Sequence, residues 1–188
     1  MQQSICGCHY PVASYGIEES PMKLLIDRIK SPIGEVRIVS DGEYLRALDF
    51  ADYDERMQRL LARHYGSFEL VPTKNPNGLS EIMERYFAGE LTAIDTIKVA
   101  ANGTAFQTLV WRHLRDVPLG KTWSYGELAR RIGKPKASRA VGLANGSNPI
   151  AIVVPCHRVI GANGSLTGYG GGMERKQWLL VHEGVNLL

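Results

Sequence analysis

The sequence predicts an α+β protein: an N-terminal antiparallel sheet with helices, then a mostly helical second half with a helix-turn-helix and a short active-site strand. Three observations carry this. Apolar runs before residue 50 are short and separated by turn residues, as in a meander. Between Asp52 and Tyr65 the apolar residues recur at helical spacing instead. In the second half, Thr104 with Gln107 and Ser124 with Glu127 have the spacing of capping boxes, which mark helix starts.

Residues 1–22 lack periodicity and contain Pro11, Gly16 and Pro21, so an irregular leader is expected. Strands are expected over 24–29, 36–39 and 45–50, with Ser31-Pro32-Ile33-Gly34 and Asp41-Gly42 as the turns. Met57, Leu60, Leu61 and His64 place a helix over 52–65, and a second covers 79–87, before Gly89. These elements make an N-terminal α/β domain over 23–90, and 91–103 reads as a linker.

The second domain, 104–188, opens on the Thr104 helix, whose apolar face is Phe106, Val110, Leu114 and Val117. Pro118 and Gly120 end it. The Ser124 helix runs to Ile132 and closes at Gly133. After Lys134-Pro135-Lys136 a helix follows over 137–145, stopped by Asn148-Pro149. This pair has the form of a helix-turn-helix. The apolar run from Pro149 to Pro155 should be a buried strand or extended segment delivering Cys156. A last helix spans 173–183.

Charge is distributed unevenly. Residues 1–100 carry 11 Lys/Arg against 15 Asp/Glu, whereas 101–188 carry 11 against 4. A basic stretch from Arg112 to Arg139 fits either a solvated face or a polyanionic partner such as DNA or RNA. No stretch approaches the ~18 apolar residues of a membrane span, and no signal peptide is evident. Three unevenly placed cysteines make no disulfide framework, and a reducing, cytoplasmic setting is expected. Cys6-Gly7-Cys8-His9, even with His64, is too tightly spaced for a structural zinc site, so no metal and no cofactor is expected.

Cys156 is followed directly by His157 and Arg158. A buried cysteine is commonly an inert small hydrophobe, but a neighbouring base and positive charge suit a nucleophile. Adjacent residues on extended chain point to opposite sides, so His157 would reach the thiol through a water. A carboxylate would fix its tautomer, and Glu183 is the candidate. That carboxylate should favour imidazolium, and imidazolium should favour thiolate.

Pro155-Cys156-His157-Arg158-Val159 is similar to the signature of the O6-alkylguanine-DNA alkyltransferases. The likeness extends to Asn145-Gly146-Ser147-Asn148-Pro149, Gly168-Tyr169-Gly170-Gly171-Gly172, Trp178-Leu179-Leu180 and His182-Glu183-Gly184, and to Ser124-Tyr125-Gly126 and Arg139-Ala140-Val141-Gly142. It is greatest to the stand-alone bacterial, Ogt-type members.

The resemblance implies that Cys156 accepts the alkyl group once, with His157 and Glu183 behind it. Asn148 would hold the hinge, and Tyr125 would donate a proton to the departing guanine. Arg139 would fill the gap left by the flipped base. Its helix, with Ser138, Ala140 and Gly142 and with Lys136 before it, would enter the minor groove of double-stranded DNA as part of a monomer. The Val159 N–H, Tyr169, Gly170 and Lys176 would line the base pocket. Family members with serine after the tyrosine can hydrogen-bond the guanine oxygen, and Gly170 is expected to open the pocket instead. Two rival classes remain at this point. A cysteine hydrolase leaves the basic helical pair unexplained, and a non-catalytic DNA-binding regulator leaves Pro-Cys-His-Arg unexplained.

Overall fold

The structure, a computed structural model, describes residues 20–187. Strands β1 (Met22–Ser31), β2 (Gly34–Ser40), β3 (Leu45–Phe50) and β4 (Phe68–Pro72) form one sheet in the order β3-β2-β1-β4. The β1–β2 register pairs Ser31 with Gly34, leaving Pro32 and Ile33 as a two-residue hairpin loop. The positive φ of Gly34, 112°, is what this turn requires.

Successive side chains serve opposite faces. Val39 and Ala47, with Leu24, pack under Met57 and Leu61 of helix α1 (Asp54–Tyr65). Ile38, Leu48 and Phe50 face the other way, into a core shared with helix α2 (Leu79–Phe87), helix α3 (Ala105–Leu114) and the segment before Cys156.

The expected meander is incomplete in one respect. β1, β2 and β3 are antiparallel, but β4 runs parallel to β1, with Met22 opposite Phe68 and Ile26 opposite Pro72. Helix α1 carries the chain back across the sheet, as a parallel pairing demands. The residues of β4 are few, mostly half-buried and end on proline, so they gave no period-2 signal.

The open edge of β3 takes two later segments. The Leu45 N–H donates to Lys98 O (2.9 Å) and the Ala100 N–H to Leu45 O (3.1 Å). The Leu48 N–H donates to Pro149 O (3.0 Å) and the Ala151 N–H to Leu48 O (2.9 Å). The stretch expected as a linker therefore packs closely, and Ala93, Ile94 and Ile97 in it are buried.

In the second half, β5 (Trp123–Ser124) leads into α4 (Tyr125–Arg131), and α5 (Ser138–Gly146) follows. Then come β6 (Val159–Ile160), parallel to β5, and α6 (Met173–His182). Thr104 makes the full reciprocal capping box with Gln107. Ser124 makes half of one: its hydroxyl accepts the Glu127 N–H, but the Glu127 carboxylate turns to Arg131 (3.1 Å). The indole of Trp111 on α3 donates to Ala144 O of α5 (2.8 Å), fixing the helical pair to the core.

The run before Cys156 is not a strand, apart from a single bridge between Ile150 and Leu48. It folds into successive turns, with N–H bonds from Val153 to Ala151 O (2.7 Å) and from Val154 to Ile150 O (3.1 Å). The short strand next to the cysteine, β6, follows it instead. Apolar content alone does not distinguish a buried turn from a buried strand. No helix among the described residues is long and apolar enough to cross a membrane.

Replacing Thr104 with alanine removes one half of a reciprocal cap. We expect a loss of about 1 kcal/mol, read as a lower urea midpoint with an unchanged slope, and no change in Cys156 reactivity.

Candidate active site

Cys156 opens a single 3-10 turn, Cys156–Arg158, directly after Pro155. Ile152, four residues earlier, is fully buried with φ of 68°, a left-handed conformation that a β-branched residue adopts only when its surroundings impose it. Those surroundings are side-chain amides. Asn148 Nδ2 donates to Val154 O (2.8 Å) and Ile150 O (3.2 Å), and its Oδ1 accepts the Ile150 N–H (3.0 Å). Asn145, near the end of α5, donates to Cys156 O (3.2 Å). The hinge residue expected at Asn148 is thus a clamp on the turns themselves.

Cys156 is buried, 5% exposed. Burial raises its pKa, against the pull of Asn148, Arg56 and Lys176. The His157 ring is fully buried, with Nε2 3.0 Å from Glu183 Oε1 but off the angle of a good hydrogen bond, and Nδ1 has no hydrogen-bond partner among the described residues. Burial holds the imidazole pKa below its ordinary value. Glu183 acts the other way without prevailing, and Arg158 and Lys176 add to the lowering. The resting pair is therefore thiol and neutral imidazole, not the thiolate–imidazolium pair expected from the sequence. Desolvation opposes both charges here.

Glu183 follows the last residue of α6 and is buried. Arg158 grips it as a fork, Nε to Oε2 (2.7 Å) and Nη2 to Oε1 (2.9 Å), and also donates to Val117 O (2.8 Å). The Tyr86 hydroxyl of α2 adds a bond to Oε1 (2.9 Å). Burial would raise the carboxyl pKa, but His157 and Arg158 together bring it well below the ordinary range. With His157 neutral, the Arg158 guanidinium keeps this carboxylate ionised. Neither Tyr86 nor the Arg158–Glu183 pairing was legible in the sequence, because residues 86, 158 and 183 meet only in the fold.

Tyr169 packs edge-on to His157, with ring centroids 6.4 Å apart, and its buried hydroxyl has no hydrogen-bond partner among the described residues. Lys176 is fully buried and donates to Val159 O (2.6 Å) and Thr167 O (2.7 Å). Burial pushes its pKa down to about 8. It braces the loop rather than lining an open pocket. The Val159 N–H, expected to meet the base, is already committed to Cys156 O within the turn. Gly170 does not open the pocket: a Cβ there would stand 2.9 Å from the guanidinium of Arg56.

Tyr125, first in α4, lies against Gly142 of α5, where an added Cβ would be 3.7 Å from its ring. Its hydroxyl accepts from Thr167 Oγ1 (3.3 Å), linking the helical pair to the loop. Ser138 is half-buried, whereas Lys136, Arg139, Ala140 and Leu143 lie exposed on the outer side of the pair. Cys6, Cys8 and His9 lie outside the described residues.

The same two halves are found together elsewhere. A family model for the 6-O-methylguanine DNA methyltransferase DNA binding domain matches residues 105–185, and one for the ribonuclease-like domain of the same family matches 24–101. This chain belongs to that family. A methylated-DNA–protein-cysteine methyltransferase of Shigella flexneri is 51% identical over 170 residues, covering 89% of this chain and 99% of the relative. One of Mycolicibacterium paratuberculosis is 60% identical over 158 residues, covering 82% and 89%. Among solved structures, O6-methylguanine methyltransferase of Mycobacterium tuberculosis has a TM-score of 0.71 at 43% identity, over 85% of this chain and 92% of that one. The Mycobacterium tuberculosis protein in complex with DNA has a TM-score of 0.73 at 44% identity, over 86% and 92%.

Glu183→Gln leaves Arg158 buried without its counter-charge, and we expect a loss of about 3 kcal/mol at neutral pH. The carboxyl ionises more readily folded than unfolded, so its stabilisation is complete above the ordinary value of 4.5 and drains away as pH falls through the lower folded value. Urea unfolding of both proteins should show a gap that is constant near neutrality and narrows below about 4.5.

Proposed function

We propose that this chain reverses O6-alkylguanine damage in double-stranded DNA by moving the alkyl group, irreversibly, onto Cys156. The observation that carries this reading is the buried Cys156, which directly precedes the buried His157–Glu183 pair in one turn held by Asn145 and Asn148 where helix α5 ends. Family membership supplies the substrate class.

In this reading the lesion is turned out of the duplex, because its alkyl carbon is unreachable within the stack. His157, neutral at rest, takes the thiol proton at Nδ1 through a water. Its imidazolium is then held against the Glu183 carboxylate. Cys156 Sγ forms a bond to the alkyl carbon as the carbon–O6 bond breaks. The guanine leaves with that electron pair and is neutralised by a proton from the Tyr125 hydroxyl. Tyr169 and the loop through Gly170 wall the base. The product is a thioether with no group beside it to cleave it, so each molecule acts once.

The small, exposed Ala140 supports a close approach of α5 to the minor groove, with Arg139 and Lys136 beside it for the phosphates and the vacated stack, while Gly142 lets the helix pack closely on Tyr125. Action as a monomer is part of the same reading. A cysteine hydrolase is less well served, because it needs free N–H groups near the sulfur. The N–H of Cys156 goes to Val154 O (2.7 Å) and that of Arg158 to Pro155 O (3.0 Å).

The test is mass spectrometry after incubation with a duplex containing O6-methylguanine. A gain of one methylene on the Cys156 peptide, equimolar at most, is expected, and Cys156→Ser should bind the lesion without gaining it. An unmodified wild-type protein, or turnover beyond one equivalent, would overturn the reading. Arg139→Ala should slow repair of the duplex on the order of tenfold while reacting with free O6-benzylguanine at the wild-type rate. Equal losses on both substrates would make Arg139 a structural residue.

A further inference from the structure

Arg56 belongs to α1, in the first half of the chain, yet its guanidinium ends on the hinge that leads to Cys156. Its Nη2 donates to Gly146 O (2.9 Å) and Asn148 O (3.0 Å). Its Nη1 pairs with Asp49 of β3, a fully buried carboxylate that also accepts the Phe50 N–H (3.0 Å). The two side chains are 16% and 1% exposed, so this is not a solvated surface pair. Asp49 holds Nη1 and so aims the N–H groups of Nη2 at two backbone carbonyls, a task for which the planar guanidinium fork is suited. The same guanidinium fills the space above the loop, where Gly170 would otherwise carry a side chain. At the next residue, a Cβ on Gly171 would come within 2.6 Å of the Phe50 ring.

We propose that Arg56 is a positioning residue for the transfer to Cys156, and that its place over Gly170 makes that position sensitive to any side chain, which would have to displace the guanidinium. The proposal rests on the transfer reading above. Arg56 acts through the backbone of Asn148, whose side chain in turn clamps the turns before Cys156. The groups facing the thiol are Arg56 from α1, Asp49 from β3, Lys176 from α6 and Tyr169 from the loop, with His157 adjacent in sequence. Burial dominates and raises the thiol pKa; Asn148 opposes it most, then Arg56 and Lys176, and Asp49 reinforces it.

The experiment measures alkylation of Cys156 by free O6-benzylguanine as a function of pH, with melting temperature alongside. The variants are Arg56→Gln, Arg56→Lys, Gly170→Ala and the double variant Arg56→Gln with Gly170→Ala. Loss of the fork should slow alkylation by roughly 10- to 100-fold and move the pH midpoint upward. Arg56→Lys keeps the charge without the fork, so its midpoint should return while its rate stays low. Gly170→Ala displaces the guanidinium and should also be slow. The double variant should then be no slower than the slower single one, since both changes break the same contact.

Wild-type rates and midpoints in Arg56→Gln and Arg56→Lys, with only melting lowered, would make Arg56 a docking residue and overturn the proposal. So would losses that multiply in the double variant. If Arg56→Gln does not fold, wild-type kinetics in both Arg56→Lys and Gly170→Ala overturn it equally. A wild-type protein that fails to gain the benzyl group would overturn the transfer reading itself, and the proposal with it.

Discussion

Glu183 sits at the end of α6 with its carboxylate out of water, and a carboxylate in that position is tolerable only when its lone pairs are satisfied. Arg158 takes two positions, Tyr86 a third, and His157 lies against the same oxygen as Tyr86. These partners come from the turn after Cys156 and from α2. Satisfying one charge therefore fixes the position of the 3-10 turn, the end of the last helix and the packing of the two halves. The imidazole behind the thiol inherits its place from this network. Each member is buried, so none can be released without stranding another.

A second constraint comes from the edge of β3. An open strand edge must be covered or paired, and here it pairs with residues on both sides of the helical region. Pro149 and Ala151 bond to Leu48 just where the chain turns toward Cys156. Arg56 grips the hinge at Asn148, the residue before Pro149, and Asp49, which orients it, is a β3 residue. The sheet is a wall of the reactive site rather than an appendage, although none of its side chains was expected to take part. Phe50 fills the space a side chain at Gly171 would need, and at Gly170 a side chain would have to displace the Arg56 guanidinium.

The electrostatics of the site favour an uncharged resting state. Thiol and imidazole are both buried, and each loses more from desolvation than it gains from neighbouring charges. A neutral imidazole is the form able to accept a proton, and the ionised Glu183 beside it stabilises the cation only once that cation has formed. In the proposed transfer, such an arrangement would keep the sulfur unreactive until a substrate is in place. It also agrees with a thiol that is to be used once, since an exposed thiolate would be open to oxidation.

Local signals in the chain were sufficient for much of this protein. The three β-hairpin strands, α1, α2 and the Thr104 cap followed from period, turn residues and a reciprocal hydrogen bond within four residues. Pro155-Cys156-His157-Arg158 singled out the reactive segment because its chemistry is contiguous. What the sequence could not determine was long-range. The parallel placement of β4 depends on how α1 crosses the sheet. The turns between Ile150 and Val154 depend on the Asn148 amide and a forced φ at Ile152, whereas a run of buried apolar residues reads equally as strand. Tyr86, Arg56 and Asp49 lie 70, 100 and 107 residues before Cys156 in the chain. Their roles arise only when folding places unpaired donors and acceptors in one dry space, where each must find a partner.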